Sequence, residues 1–229
     1  MNELRQFLRY LTPGLILVGQ SLFLTWLIFP KWTSPILSVN PSSIVFGVLG
    51  AGSLGYVCAT LHHSASWWIP SQRRVIGYDE TVARLTRLKL IDAAEASAGA
   101  DGIDQVLVLW HSRAETSPII KGANTRVNSL TDIAHGAGAA RVAAILALAS
   151  PVAVGLTVGG FDLTVESALR TGGAATVGAA MIWLFHDTWH RTGRLVGTLI
   201  SNALELELRT HPPLLILLRE PQATSTTVP

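Results

Sequence analysis

The stretch LTPGLILVGQSLFLTWLIF, residues 11–29, decides the fold class of this chain. It holds no charged side chain, and none occurs anywhere between Arg9 and Lys31. Because a helix rises about 1.5 Å per residue, an apolar run of roughly 20 residues crosses the hydrocarbon core of a bilayer. No small-residue cleavage motif follows the run, so it predicts an uncleaved first transmembrane helix and not a secretory signal peptide.

The composition of the whole chain also indicates a membrane protein. Of its 229 residues, 49% are hydrophobic and 14% are charged. Charged residues make up about a quarter of an ordinary soluble domain. The sequence therefore predicts an all-α membrane protein with about four transmembrane helices, a mainly helical cytoplasmic loop region and a C-terminal cytoplasmic helix. The predicted spans are residues 12–30, 43–62, 139–159 and the weaker, Gly/Ala-rich run 173–190.

The basic residues set the predicted orientation. Of the 17 Lys and Arg residues, only Lys31 and Arg170 fall in the two short connections between predicted spans. Because loops rich in Lys and Arg stay in the cytoplasm, we expect a multi-pass protein of the cell (inner) membrane with both termini cytoplasmic. The predicted parts are an N-terminal pair of spans (1–63), a cytoplasmic loop domain (64–138), a C-terminal pair of spans (139–190), and a cytoplasmic amphipathic helix with a disordered tail (191–229).

The central loop is too long to be a bare connection, so we expect helices within it. Asp79 and Glu80 favour a helix that continues to about Ala98, and its basic face suits either anionic lipid or packing on neighbouring helices. The run VLVLW at residues 106–110 fits a short strand or a helical turn. Ser129, three residues before an acidic residue, matches a capping box, which predicts a helix that begins there and enters the third span. Another helix is predicted to extend the fourth span over residues 191–209.

Tryptophans and the lone cysteine add smaller expectations. Indole rings favour the headgroup region of a membrane, so tryptophans near span ends predict an interfacial belt. The belt tryptophans are Trp26, Trp32, Trp67, Trp68 and Trp189.

The single cysteine, Cys58, excludes an intramolecular disulfide and is expected to be a small buried residue.

Small residues recur every fourth position on two of the predicted spans. Such stripes let helix backbones approach closely in a membrane, so they predict a tight bundle, a homo-oligomer, or both. The string GAGSLG at residues 50–55 matches a dinucleotide-binding fingerprint, but it lies within a span and lacks the strand-to-helix turn that this fingerprint requires. The stripes are Gly47, Ala51, Gly55 and Ala59 on the second span, and Ala139, Ala143, Ala147, Gly155 and Gly159 on the third.

Histidines gather at one predicted membrane boundary. His62 and His63 end the second span, His135 precedes the third, and His186 and His190 share a helix face at the end of the fourth. Imidazoles at this spacing suit a metal site, a proton relay or a haem site, but histidine is half apolar and weakly basic and therefore also suits a membrane interface, and both interpretations stay open. The candidate metal ligands are His62, His63, His135, His186, Asp187 and His190.

Two functional hypotheses follow from these features. The first is a non-enzymatic membrane protein that forms a homo-oligomer or joins other membrane subunits and binds a cytoplasmic protein partner. A pore-forming or membrane-perturbing effector is one version of it. The sequence holds neither the H-E-x-x-H nor the G-x-S-x-G signature, and we expect no cofactor and no nucleic acid. The alternative is a membrane enzyme that uses a transition metal or haem at the histidines.

Overall fold

A computed structural model of the protein describes residues 2–33, 41–69, 75–91, 102–158 and 164–211. Within these ranges the chain is helical and contains no strand, which confirms the all-α prediction for this part of the protein. The run at residues 106–110 is therefore helical. The helices are α1 (Asn2–Ile28), α2 (Pro30–Thr33), α3 (Pro41–Trp68), α4 (Tyr78–Arg87), α5 (Gly102–Arg113), α6 (Pro118–Val158) and α7 (Val165–Thr210).

Three of the described helical stretches are long and apolar enough to cross a membrane. They are Arg9–Ile28 in α1, Pro118–Thr157 in α6 and Val165–Thr210 in α7. These helices indicate a membrane-embedded protein. The second predicted span, 43–62, lies on α3, but the side chains of residues 41–46 fall outside the described part of the chain.

The chain divides into two compact units. The first unit comprises residues 1–72 and 131–192, and the second comprises residues 73–130 and 193–229. Helix α6 has 41 residues and α7 has 46, and each of them contributes one segment to the first unit and another to the second.

Helices α1 and α3 approach each other backbone to backbone in the first unit. A Cβ atom added to Gly14 would collide with the carbonyl oxygen of Ala51, and one added to Gly55 would collide with the carbonyl oxygen of Tyr10. Only glycine allows so close an approach. The predicted stripe on α3 therefore packs against α1 of the same chain at Ala51 and Gly55, whereas Gly47 faces open space.

Helix α6 packs on α1 through hydroxyl groups and buries its own small residues. The hydroxyl of Ser150 lies 3.4 Å from that of Thr25 on α1. On the same helix, the predicted stripe residues Ala143, Ala147 and Gly155 are all buried. Glycine also brings α7 close, since a Cβ atom at Gly178 would collide with the side chain of Leu148. The stripe on α6 thus also contributes to packing within one chain.

The second unit is built around an ordinary hydrophobic core. Helix α4 contributes its apolar side to this core. Of the two predicted roles of this helix, packing on neighbouring helices therefore fits better than contact with anionic lipid. Arg84 of α4 forms an ion pair with Glu205 of α7 at 2.5 Å. The buried core residues are Val82, Leu85, Val106, Trp110, Ile120, Val127, Val196, Ile200, Ala203, Leu204 and Leu208.

Two predicted helix ends in the second unit are wrong. Helix α4 ends at Arg87 and not near Ala98, because Lys89 adopts a left-handed conformation with φ 56° and its amide bonds back to Thr86. The continuation over residues 92–98 lies outside the described part. Helix α6 begins at Pro118 and not at Ser129, because the Ser117 hydroxyl caps it by accepting the amide of Ile120 at 3.2 Å.

Candidate functional site

Helices α3 and α6 bring three of the predicted site histidines together. The ring centroids of His63 and His135 lie 4.8 Å apart, and those of His62 and His135 lie 6.1 Å apart. The other two histidines form a pair on α7, with 4.4 Å between the centroids of His186 and His190. All five belong to the first unit.

Trp189 lies between these two groups of histidines. Its ring centroid is 5.5 Å from that of His62 and 5.8 Å from that of His186. Only 5% of Trp189 is exposed, so its predicted place in an interfacial belt is wrong. Trp26 and Trp68 are 43% and 84% exposed, as a belt requires, whereas the side chains of the other two belt tryptophans lie outside the described part.

A glycine and an arginine that the sequence analysis did not assign to the site complete this arrangement. His62 is 2% exposed and packs against Gly138, where an added Cβ atom would collide with the imidazole ring. Arg141 is 8% exposed, and its guanidinium carbon lies 4.3 Å from the centroid of Trp189, a cation–π contact. Neither role could be found without knowing which helices are neighbours.

Arg141 also contacts one of the histidines on α7. Its Nη1 lies 3.1 Å from Nδ1 of His186. A guanidinium can only donate hydrogen bonds, so Nδ1 of His186 is the acceptor in this contact.

A cavity of about 30 Å³ opens beside the first group of histidines. A cavity needs about 10–15 Å³ to hold one water, so this cavity has room for a small polar group. Arg9 is also bonded through Nη1 to the carboxylate of Asp132, at 3.2 Å. The cavity is lined by Arg9, Tyr10, Ala59, His62, His63, His135 and Ala139.

The described side chains do not arrange the candidate ligands around a common metal position. Among the residues described, no group of three or more His, Cys, Asp or Glu side chains has a geometry that could hold a metal ion. Asp187 instead pairs with Arg191 on its own helix, at 2.8 Å. The metal or haem site stays a prediction that this geometry does not support.

The chain matches no protein-family model, no curated protein and no solved structure.

Proposed function

We propose that the protein is a non-enzymatic multi-pass membrane protein that crosses the bilayer about four times, self-associates through the outer face of α7, and presents its second unit to a cytoplasmic protein partner. The four crossings would be α1, α3 and the first-unit segments of α6 and α7. The distribution of Lys and Arg supports placing both termini in the cytoplasm.

The exposure of α7 carries the self-association proposal. In the most apolar 18-residue stretch of α7, 11% of the residues are buried, compared with 44% in the most apolar stretch of α6. Small residues at spacings of three and four lie on one side of this helix, namely Ala168, Gly172, Ala175 and Ala179, and all four are exposed. Such a face allows the helix of a second copy to approach closely, which bulky lipid-facing residues would prevent.

The covered residues of the stripes predicted on α3 and α6 support the bundle and not the oligomer. Ala51 and Gly55 are buried against α1, and Ala143 and Ala147 are fully buried in the first unit. Residues already covered within one chain cannot form the contact with a second copy. The α7 face is therefore the better candidate interface.

The second unit supports the part of the proposal that concerns a soluble partner. It has a hydrophobic core of its own, formed by segments from four helices. Its α7 segment is tied to the others by ion pairs, including Arg113 with Glu207 at 3.3 Å. A compact helical unit of this kind offers a defined surface for a partner.

Cysteine cross-linking tests the α7 interface. In a Cys58→Ala background, Ala175→Cys should give disulfide-linked dimers in native membranes, whereas Leu49→Cys, at an exposed position of α3, should not. Adding Gly172→Leu should remove most of the Ala175→Cys dimer because the bulky side chain separates the helices. Gly50→Leu is the matched control, since both glycines are exposed with open space around an added Cβ. No dimer at Ala175→Cys, or equal loss with both glycine variants, would refute the interface.

A further inference from the structure

We propose that the cavity between α1, α3 and α6 binds a phosphate-bearing anion, either the headgroup of an anionic lipid or free phosphate. The side chains around it are rich in hydrogen-bond donors. Arg9 brings a guanidinium, Tyr10 a phenol, and His62, His63 and His135 bring imidazoles. Phosphate oxygens accept several hydrogen bonds at once, and guanidinium groups match their geometry.

Arg9 has donors beyond the ion pair that it already makes. Its bond to Asp132 uses Nη1, and a guanidinium carries five N–H groups. The side chains of this pair are 30% and 50% exposed, so the ion pair is accessible to solvent and contributes little to stability. An anion could therefore engage Arg9 without disrupting a buried contact.

His135 adds a further donor to the cavity, which it also lines. A neutral imidazole carries one N–H group, so His135 can donate one hydrogen bond to an anion bound there.

The position of the cavity along the helices fits the depth of lipid phosphates. Arg9 is the first residue of the apolar stretch of α1, and His62 and His63 lie beyond the apolar part of α3. With the predicted second span ending at residue 62 and the third beginning at residue 139, the cavity would lie at the membrane boundary, where headgroups are found and where basic pockets between helices recognise anionic lipids.

Titration of the purified full-length protein in a neutral detergent tests the site. We expect dihexanoyl phosphatidic acid to raise the thermal midpoint and to change the tryptophan fluorescence of the protein, because Trp189 lies 5.5 Å from His62. Dihexanoyl phosphatidylcholine, which carries no net charge, should do neither. A response to inorganic phosphate alone would identify free phosphate as the source, and a response to phosphatidic acid alone would identify a lipid. No response to either anion would overturn the proposal.

Variants separate this site from a cation site and from non-specific charge effects. His63→Gln at an exposed position should weaken anion binding by about tenfold. Asp132→Asn removes the carboxylate beside Arg9 and should strengthen anion binding, whereas it would weaken the binding of a metal cation. The controls are His111→Gln and Asp79→Asn, exposed positions of the second unit, which should leave binding unchanged. Weaker anion binding by Asp132→Asn, or equal effects of His63→Gln and His111→Gln, would contradict the assignment.

Discussion

Ser150 and Pro151 stand next to each other in α6, and the first compensates for the second. A proline within a helix cannot donate to the carbonyl four residues earlier, which here is that of Ala147. The Ser150 hydroxyl donates to this same carbonyl at 2.8 Å. The helix consequently continues through Pro151 to Val158, although a proline at this position predicts a kink unless a neighbour bonds the carbonyl.

This pairing predicts that Ser150→Ala destabilises the protein by about 1–3 kcal/mol, because the buried carbonyl of Ala147 loses its donor. Thermal or denaturant unfolding in detergent measures the effect. Thr157→Ala is a matched control, since Thr157 makes the same hydroxyl-to-carbonyl bond, to Val154 at 2.8 Å, but is exposed and has no proline nearby. Equal stabilities for the two variants would show that Ser150 does not replace the missing donor.

At the scale of helices, the boundary of α4 depends on one backbone conformation. Lys89 has φ 56°, which costs a residue with a Cβ atom about 1–2 kcal/mol compared with glycine. The amide of Leu90 bonds to the carbonyl of Leu85 at 2.9 Å and fixes this turn. The turn ends α4 without the glycine that usually marks such a helix end.

We therefore expect Lys89→Gly to stabilise the second unit by about 1 kcal/mol, since glycine adopts positive φ without a steric penalty. The same change at Lys121, an exposed position within α6, should destabilise by about 1 kcal/mol because glycine is a poor helix former. The unfolding midpoints of the two variants, each compared with that of the parent protein, measure these changes in stability. A loss of stability with Lys89→Gly would mean that the turn does not persist in solution.

The helices themselves were predictable, but several of their ends and contacts were not. Long apolar runs identify α1 and α6, because a run of this length has few alternatives to a membrane helix. The capping pattern at Ser129 does not predict the start of α6, because the helix is already capped twelve residues earlier by Ser117 and begins at Pro118. Sequence spacing placed the histidines near one boundary, but the packing of His62 on Gly138 depends on which helices are neighbours.

Across the whole molecule, two kinds of packing coexist. In the first unit, large apolar side chains point outward, including Leu49 at 61% and Leu156 at 79% exposure. The second unit has a buried apolar core with charged pairs on the helices around it, and it exposes fewer large apolar side chains, among them Val108, Leu195 and Leu206. The exposed apolar surface of the first unit suits lipid.

The most direct test of this account is a topology map of the full-length chain in its membrane. A reporter that is active on one side only should report the cytoplasm when fused after Arg219 or inserted near Gly99, and the opposite side when inserted near Ser38. This pattern requires both termini and the second unit to share the cytoplasmic side, as about four crossings predict. A signal from the opposite side at Gly99 would contradict the proposed topology and, with it, the presentation of the second unit to a cytoplasmic partner.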